Sequence, residues 1–564
     1  MTCRSVRGRR LRSGLNLLLL GATTSVQGAC LEEPVASESS EPNVLIDNSR
    51  HAFLTESPEG SVIRTIEIAN NGIFDTDDPR QSGWIHRLMN TVHVETHQDV
   101  VRRQLLIQPG DPYSERLVDE SARLLRQNSY LAEAKITPID CEAGYVDLAV
   151  QTTDAWSLTP SISFSRTGGQ DSGGIEIEES NLFGRGSEIE IGYKSDVDRD
   201  TMFLEYHDSQ IGDSRVQIDT LFSENSDGSR YALELVRPFY AMDARRAHGV
   251  RLSRFDQIDS LYQLGAIVGE IQHEGRHGEM FFGWSKGLQS GFARRWIIGF
   301  GYDEHRFENV SSIGSSRLSL PARRDVYPFF GFEWLEDRYE VTKNVDQIHR
   351  LEDRYLGTRI VGQLGYATGV FGSETEAVRL RLSAHKGYRP FDGDTLLLRS
   401  RVEARWPNEG SSSYLFDADA RYFHRQSEKR LFAAQLSVAA GGTLDTDSLI
   451  TLGGDTGLRA YPLRYLNGDR KVLLSLEQRF YTDWYPFHLF RVGAAVFFDA
   501  GKMWGSETPA EASLGILRDV GVGLRIGSPH SSSGRMLHID IAYPMDGPPV
   551  VRGPQLYIET RKQF

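Results

Sequence analysis

From Ala155 to the C-terminus, the chain is dominated by short segments in which apolar and polar residues alternate. The clearest is LLLRSRVEARW, which places Leu396, Leu398, Val402, Ala404 and Trp406 on one face and Arg399, Arg401, Glu403 and Arg405 on the other. A period of two residues is typical of β-strands, because successive side chains point to opposite faces. The pattern therefore predicts strands with one apolar and one charged face.

Two architectures fit such strands, a soluble β-sandwich and a membrane β-barrel, because both have one apolar face. The segments are typically ten or more residues long, close to the roughly 9–11 residues that a tilted strand needs to cross a bilayer. Their apolar faces also carry aromatic residues, among them Tyr193, Phe490 and Tyr543. We therefore predict a mainly β fold, a transmembrane antiparallel β-barrel over residues 156–564 with a charged lumen.

The strands can be counted from the alternation, which gives sixteen to nineteen. The range arises from the Gly-rich and charged region between about 255 and 330. The first and last strands are predicted near residues 157–166 and 555–564, and they must pair, because a barrel in lipid leaves no free strand edge.

A helical period precedes the barrel. VIRTIEIAN predicts a strand, DVVRRQLLIQ a helix that ends at Pro109-Gly110, and the residues after Ser114 a second helix. AEAKITPI and YVDLAVQTT predict two further strands. The order strand, helix, helix, strand, strand predicts a small α+β domain over residues 61–155.

The N-terminus has the composition of an export signal. MTCRSVRGRRLRSG is rich in arginine, and the apolar LNLLLL and several small residues follow it. This predicts a secretory signal peptide over residues 1–29, with cleavage after Gly28 or Ala29. Lipidation of Cys30 is disfavoured because Gln27 stands where a lipobox needs an aliphatic residue. Residues 30–60 are acidic and rich in Ser and Pro, and they predict a linker.

Composition and motifs narrow the functional classes. The net charge of −14 argues against a nucleic-acid partner. No phosphate-binding or nucleophile-elbow motif occurs, so we predict no cofactor and no catalytic residue. HEGRH, residues 273–277, matches the H-E-x-x-H pattern of zinc hydrolases, which requires both histidines on one helix face. Strand-like segments flank it, so the histidines are not expected to converge and no metal is predicted; a zinc hydrolase is kept as a remote alternative.

Several segments together resemble the outer-membrane protein assembly and translocation barrels typified by BamA and TamA. SNLFGRGSEIEIGY is similar to an early barrel segment of that superfamily, and VFFDAGKMW and GVGLRIGSPHSSSGRMLHIDIAYP are similar to late ones. The resemblance implies a POTRA domain over residues 61–155 and a barrel of about sixteen strands. One such domain fits before the barrel, whereas BamA-like proteins carry several.

GGDTGLRAYP is similar to the signature loop of the superfamily, which folds back into the barrel lumen. The resemblance assigns loop roles to Gly453, Gly454, Gly457, Arg459, Ala460 and Tyr461. It also assigns Glu477 and Asp499 as carboxylate partners of Arg459. Parity supports this independently, because both carboxylates alternate with apolar residues and so face the lumen. Ala460 stands where the superfamily usually has glycine.

The C-terminal strand resembles the sorting signal of outer-membrane barrels, with Leu556 and Ile558 on its apolar face and Phe564 at its end. The resemblance implies a protein of the Gram-negative outer membrane that assists insertion, assembly or translocation of other proteins. Its partners would be outer-membrane lipids, unfolded outer-membrane or secreted proteins and periplasmic accessory proteins. A two-partner secretion pore and a passive anion-selective porin remain alternatives.

Overall fold

A computed structural model describes residues 58–74, 83–312, 322–343, 351–443, 449–505, 514–527 and 536–561. The predicted signal peptide, most of the predicted linker with Cys30, and the C-terminal Phe564 lie outside the described residues. Those assignments stay predictions.

A small α+β domain comes first. Its elements are β1 (Val62–Asn71), α1 (Trp84–Val92), α2 (Gln98–Gln104), α3 (Glu115–Arg126), β2 (Leu131–Glu142) and β3 (Tyr145–Asp154). The sheet order is β1-β3-β2, with β1 parallel and β2 antiparallel to β3. Helix α3 buries Val118, Ala122 and Leu125, which recur at helical spacing, against this sheet.

Helix α1 is an addition to the predicted order. It lacks a side-chain cap and has no acidic residue in its first turn, so the usual signals of a helix start are missing from the sequence. None of the described helices is long and apolar enough to cross a bilayer.

The rest of the described chain is dominated by a closed barrel whose neighbouring strands are all antiparallel. In chain order the strands are β4 (Leu158–Thr167), β5 (Gln170–Glu179), β6 (Ser187–Ser195), β7 (Asp200–Asp208), β8 (Gln217–Asn225), β9 (Gly228–Arg237), β10 (Arg246–Gln263), β11 (Ala266–Gln289), β12 (Phe292–Ser312), β13 (Arg323–Glu336), β14 (Tyr339–Lys343), β15 (Leu351–Tyr355), β16 (Arg359–Ala367), β17 (Ala377–Tyr388), β18 (Asp394–Pro407), β19 (Ser413–Ser427), β20 (Arg430–Gly442), β21 (Ile450–Leu452), β22 (Leu466–Gly468), β23 (Arg470–Tyr481), β24 (Arg491–Trp504), β25 (Ile516–Gly527), β26 (Met536–Pro544) and β27 (Gln555–Arg561). Two separate hairpins, β14-β15 and β21-β22, are inserted between barrel strands.

The predicted β-barrel is therefore present, but the predicted count of about sixteen strands is wrong. Twenty strands of the described chain close the barrel. Strand ends are set by pairing with neighbours, which alternation within a segment does not reveal. Strands β6, β7 and β8 have 9 residues each, whereas β11 has 24, so segment length is a poor guide to strand number.

Alternation sorts the side chains between the outside and the lumen as expected for a barrel. Large apolar residues are exposed at alternate positions along the strands, for example Met280, Phe282 and Trp284 on β11 and Val520, Val522 and Leu524 on β25. The intervening positions face inward. An outer apolar surface of this kind suits contact with lipid.

The barrel closes at a weak seam between its first strand, β4, and its last, β27. Within the described residues, which end at position 561, the two strands are paired in register at one position, Ile558 with Arg166. The Ser165 hydroxyl also donates a hydrogen bond to the Ile558 carbonyl at 2.7 Å. Every other junction in the barrel has at least seven residue pairs among the described residues, so in this part of the chain the seam has the least backbone pairing.

One of the contacts that join the small domain to an end of the barrel is centred on Asp154, the last residue of β3. Its buried carboxylate accepts hydrogen bonds from the Thr96 amide at 2.9 Å and the Thr96 hydroxyl at 2.8 Å, and it contacts His93 Nε2 at 2.7 Å. The Asn181 side chain, between β5 and β6, donates to the Thr96 hydroxyl at 2.9 Å. Asp154 thus fixes the loop at residues 93–96, which contacts the barrel through Asn181.

We expect Asp154→Ala to loosen this junction, because a buried donor left without its acceptor costs about 1–3 kcal/mol. Hydrogen exchange should become faster at residues 93–96 and 181–186. Asp140→Ala is the matched control, since Asp140 is exposed in the same sheet and pairs with Arg64. Equal exchange rates in both variants would contradict the assigned role of Asp154.

Candidate functional site

The chain between the short strands β21 and β22 folds into the barrel lumen. Its residues Leu458, Arg459, Ala460 and Tyr461 are all buried. We call residues 453–465 the luminal loop. Two of its glycines are required by local geometry. Gly457 has a φ of +117°, and a Cβ on Gly454 would lie 2.4 Å from the Gly168 Cα in the β4-β5 turn.

Arg459 is the centre of the site. Its guanidinium donates to Asp499 at 2.9 and 3.3 Å, to Glu477 at 3.2 Å and to Asp540 at 2.8 Å. It also lies over the Phe497 ring, 3.5 Å from the ring centroid. The planar donors of one arginine therefore engage carboxylates from three strands, an arrangement that the single ammonium of lysine could not reproduce.

The structure brings together the three residues that the sequence singled out, Arg459, Glu477 and Asp499. Sequence reasoning missed Asp540 and Phe497. The signal was present for Asp540, because it alternates with Ile539 and Ile541 on β26 and so faces the lumen.

Two further arginines complete a buried cluster. Arg525 donates to Glu477 at 2.9 and 3.1 Å and pairs with Asp540, and Arg479 donates to Glu477 at 2.8 Å. We call Arg459, Arg479 and Arg525 with Glu477, Asp499 and Asp540 the arginine cluster. Its six side chains are all nearly inaccessible to solvent, so each charge depends on its partners for stabilisation.

The arginine cluster and the luminal loop both lie within the residues that match a protein-family model. Residues 356–560 match the model of the Omp85 superfamily domain. The chain carries an Omp85 superfamily domain. The superfamily resemblance predicted from the sequence is thereby confirmed, and a β-barrel that carries an Omp85 domain implies a location in the outer membrane.

Solved structures that are similar to this chain include BamA and CdiB proteins. BamA from Haemophilus ducreyi lacking POTRA domains 1–3 is 13% identical, with 89% of this chain and 84% of that chain covered and a TM-score of 0.40. CdiB from Acinetobacter baumannii is 12% identical, with 89% and 73% covered and a TM-score of 0.40. CdiB from Escherichia coli is 11% identical, with 89% and 76% covered and a TM-score of 0.48. No curated protein matches the sequence.

Within the Omp85 domain, Ala460 and Tyr461 fit the loop without strain. Ala460 is absent from the described residues with a positive φ, so its departure from glycine carries no backbone penalty. Its amide donates to Asp519 at 3.3 Å. The Tyr461 hydroxyl donates to the carbonyls of Arg518 and Asp546 at 2.9 and 3.1 Å. These contacts tie the loop to β25 and to the turn after β26.

The luminal loop also contacts the first strands of the barrel. Arg464 pairs with Asp198 in the β6-β7 turn at 2.5 Å, and the Leu463 amide donates to the Gly168 carbonyl at 3.2 Å. Asn467, which follows the loop on β22, donates to the Tyr262 carbonyl near the end of β10. The loop thus links the C-terminal strands of the Omp85 domain with strands that precede it in the chain.

The C-terminal strand shows the predicted alternation. On β27, Leu556 is exposed on the outside, whereas Tyr557 is buried. Ile558 forms the seam pair with Arg166. The role of this C-terminal strand as a sorting signal stays a prediction.

The HEGRH segment lies within strand β11, as the flanking residues predicted. Four residues of extended chain separate the Cα atoms of His273 and His277 by about 13 Å. Glu274 lies on the opposite face of the strand from both histidines. The helical arrangement that zinc hydrolases use is therefore missing from this strand.

Proposed function

We propose that this Omp85 protein inserts other proteins into the outer membrane, or passes them across it, by opening the seam between β4 and β27. The observation that carries the proposal is the single residue pair that the described residues form at that seam. Unpaired backbone groups are costly in lipid, because no water is available to satisfy them. A strand of an incoming protein can satisfy the free edges of β4 and β27 by pairing with them.

The arginine cluster supports this proposal because it holds one side of the seam rigid. Glu477 lies on β23, Asp499 on β24 and Asp540 on β26, and Arg459 joins all three. These strands precede β27, which is outside the cluster. The seam can therefore open while the adjacent wall of the barrel keeps its shape.

In this proposal the small α+β domain acts as a periplasmic POTRA domain that receives substrates. Strand β2 is an edge of the described three-stranded sheet. An extended segment of an unfolded protein can add to that edge through main-chain hydrogen bonds, without a requirement for a particular sequence. No covalent chemistry is needed.

A passive anion-selective pore fits the lumen less well. Arg379 on β17 and Arg405 on β18 both donate to Asp325 at 2.8 Å. Their charges are thus offset by a carboxylate, which weakens the attraction for a passing anion.

Depletion of the protein, followed by comparison of the outer-membrane and secreted proteomes, tests the function. We expect a broad loss of β-barrel proteins from the outer membrane, because an insertase serves many substrates. Loss of one exported protein would instead identify a dedicated two-partner secretion pore. Unchanged proteomes would overturn both functions.

A further inference from the structure

Strands β10, β11 and β12 extend beyond their neighbours at the end of the barrel away from the small domain. Pairing of β10 with β9 ends at Asp256, and pairing of β12 with β13 ends at His305. The remaining residues, 257–263, 266–272 and 306–312, form a three-stranded extension. A cluster of imidazole and carboxylate side chains lies at its base.

The cluster is a continuous chain of polar contacts. Asp259 Oδ2 lies 2.8 Å from His273 Nδ1, and His273 Nε2 lies 2.8 Å from His305 Nδ1. His305 Nε2 is 3.2 Å from Asp303 Oδ1, which is also 2.5 Å from His277 Nδ1. Asp303 pairs through its other oxygen with Arg379. The side chains of His273, His305 and Asp303 are buried, and His277 is 38% exposed.

The direction of these hydrogen bonds can be worked out from the ends. The Asp259 carboxylate only accepts, so His273 donates from Nδ1 and presents a lone pair at Nε2. With this tautomer of His273, His305 donates from Nδ1 to His273 and presents its own lone pair at Nε2. That lone pair faces the Asp303 carboxylate, another acceptor. With these tautomers, a cation between the two acceptors makes the contact favourable.

We propose that His277, Asp303 and His305 bind a divalent transition-metal ion of the Zn²⁺ type. One ligand atom from each of the three residues lies within 4.8 Å of the other two. In a tetrahedral zinc site with bonds of about 2.0–2.1 Å, two ligand atoms are roughly 3.3 Å apart, close to the 3.2 Å between His305 Nε2 and Asp303 Oδ1. His277 Nδ1 lies 2.5 Å from the same oxygen, so the half-exposed His277 ring must move outward by roughly 0.8 Å to become the third ligand. Two imidazoles and one carboxylate suit zinc, cobalt or nickel better than calcium or magnesium, which prefer oxygen ligands.

His273 and Asp259 act on this site as positioning residues. Bound histidines commonly donate their second ring N–H to an acceptor, which fixes the ring and its tautomer. His273 provides that acceptor for His305, and Asp259 orients His273. The rings of Phe255 and Phe307 flank His273 at 4.9 and 4.4 Å between centroids, and they restrict its movement. The metal joins β11 to β12 at the base of the extension.

Metal binding by the purified full-length barrel tests the site. The protein carries an affinity tag without histidines, is stripped with chelator and is titrated with ZnCl₂, or with CoCl₂ as a visible-absorption probe. We expect saturable binding of one ion per chain. His277→Ala and His305→Ala should abolish it, and His273→Ala should weaken affinity by about 10–100-fold.

Two control variants test whether zinc binds at this site or at other side chains. His424 forms an ordinary pair with Asp394 at 2.6 Å, so His424→Ala should leave binding unchanged. Glu274→Gln should also have no effect, because Glu274 faces away from the cluster. Heat-modifiability on gels verifies that each variant is folded.

The site is overturned if the folded wild type binds no more zinc than folded His277→Ala, or if the His424→Ala control loses as much. The experiment uses no protein substrate, so its failure leaves the proposed insertion function standing.

Discussion

Arg459→Ala is expected to destabilise the barrel by about 3–5 kcal/mol, the usual cost of removing one partner of a buried ion pair. The truncation removes every contact between the luminal loop and Glu477, Asp499 and Asp540. Arg525 and Arg479 still stabilise Glu477. Asp499 is affected most, because Arg459 is the cation with which it forms an ion pair among the described contacts.

Urea unfolding in detergent, followed by heat-modifiability on gels, measures this effect. Arg459→Lys should fall between the alanine variant and wild type, since it keeps the charge and loses the planar donors. Exchanging the charges of Arg459 and Asp499 should restore part of the lost stability. Arg464→Ala is the matched control and should cost less than Arg459→Ala, because Arg464 is in the same loop but its ion pair with Asp198 is only partly buried. Equal stabilities of the Arg459 and Arg464 alanine variants would refute the role of the cluster.

A disulfide across the seam is expected to abolish function in cells while the barrel stays folded. Arg166→Cys with Ile558→Cys places two thiols at the paired positions of β4 and β27. Directly opposed residues of antiparallel strands lie about 4.5–5.5 Å apart at Cα, which a disulfide can bridge. The covalent bond prevents the strands from separating. Assembly of other barrel proteins should therefore stop in oxidising medium and resume when a reductant is added.

The matched control places the bond on the other side of the same strand. Ile558 is also paired with Ile539 of β26, so Ile539→Cys with Ile558→Cys locks β27 to a junction that is already extensive. This variant should keep wild-type function, and each single cysteine variant controls for the native thiols. Loss of function with both disulfides, or with neither, would count against opening at the seam.

The arrangement around Arg459 was largely accessible from the sequence, because parity on a strand is a local property. Alternation alone predicted that Glu477 and Asp499 face the lumen, and the loop motif indicated which cation would meet them. The same rule applied to Asp540 and Arg525 would have completed the cluster. Parity does not reveal which side chains meet across the lumen. Strands β23 and β26 are separated by β24 and β25, and the curvature of the barrel wall brings their inward side chains together.

The strand count and helix α1 were harder to predict for different reasons. Strand ends depend on pairing with a neighbour, and the long strands β10 to β12 gain their extra residues from one another. Helix α1 has no cap in the sequence and is stabilised by contacts within the folded domain, such as the Asn90 side chain, which donates to the Phe74 carbonyl at 2.8 Å. Tertiary contacts of this kind leave little local signal.

The seam strand β4 begins at Leu158, directly after β3 of the small domain ends at Asp154. The intervening Ala155 and Ser157 are buried, and so short a link, at most about 3.6 Å per residue, has almost no slack. A movement of the small domain is therefore transmitted to β4, and also to the β14-β15 hairpin, to which the domain is joined by the ion pair of Arg126 with Asp353. We expect a force on the sheet of the small domain to act on the first barrel strand, and so on the β4-β27 seam, which has the least backbone pairing among the described residues.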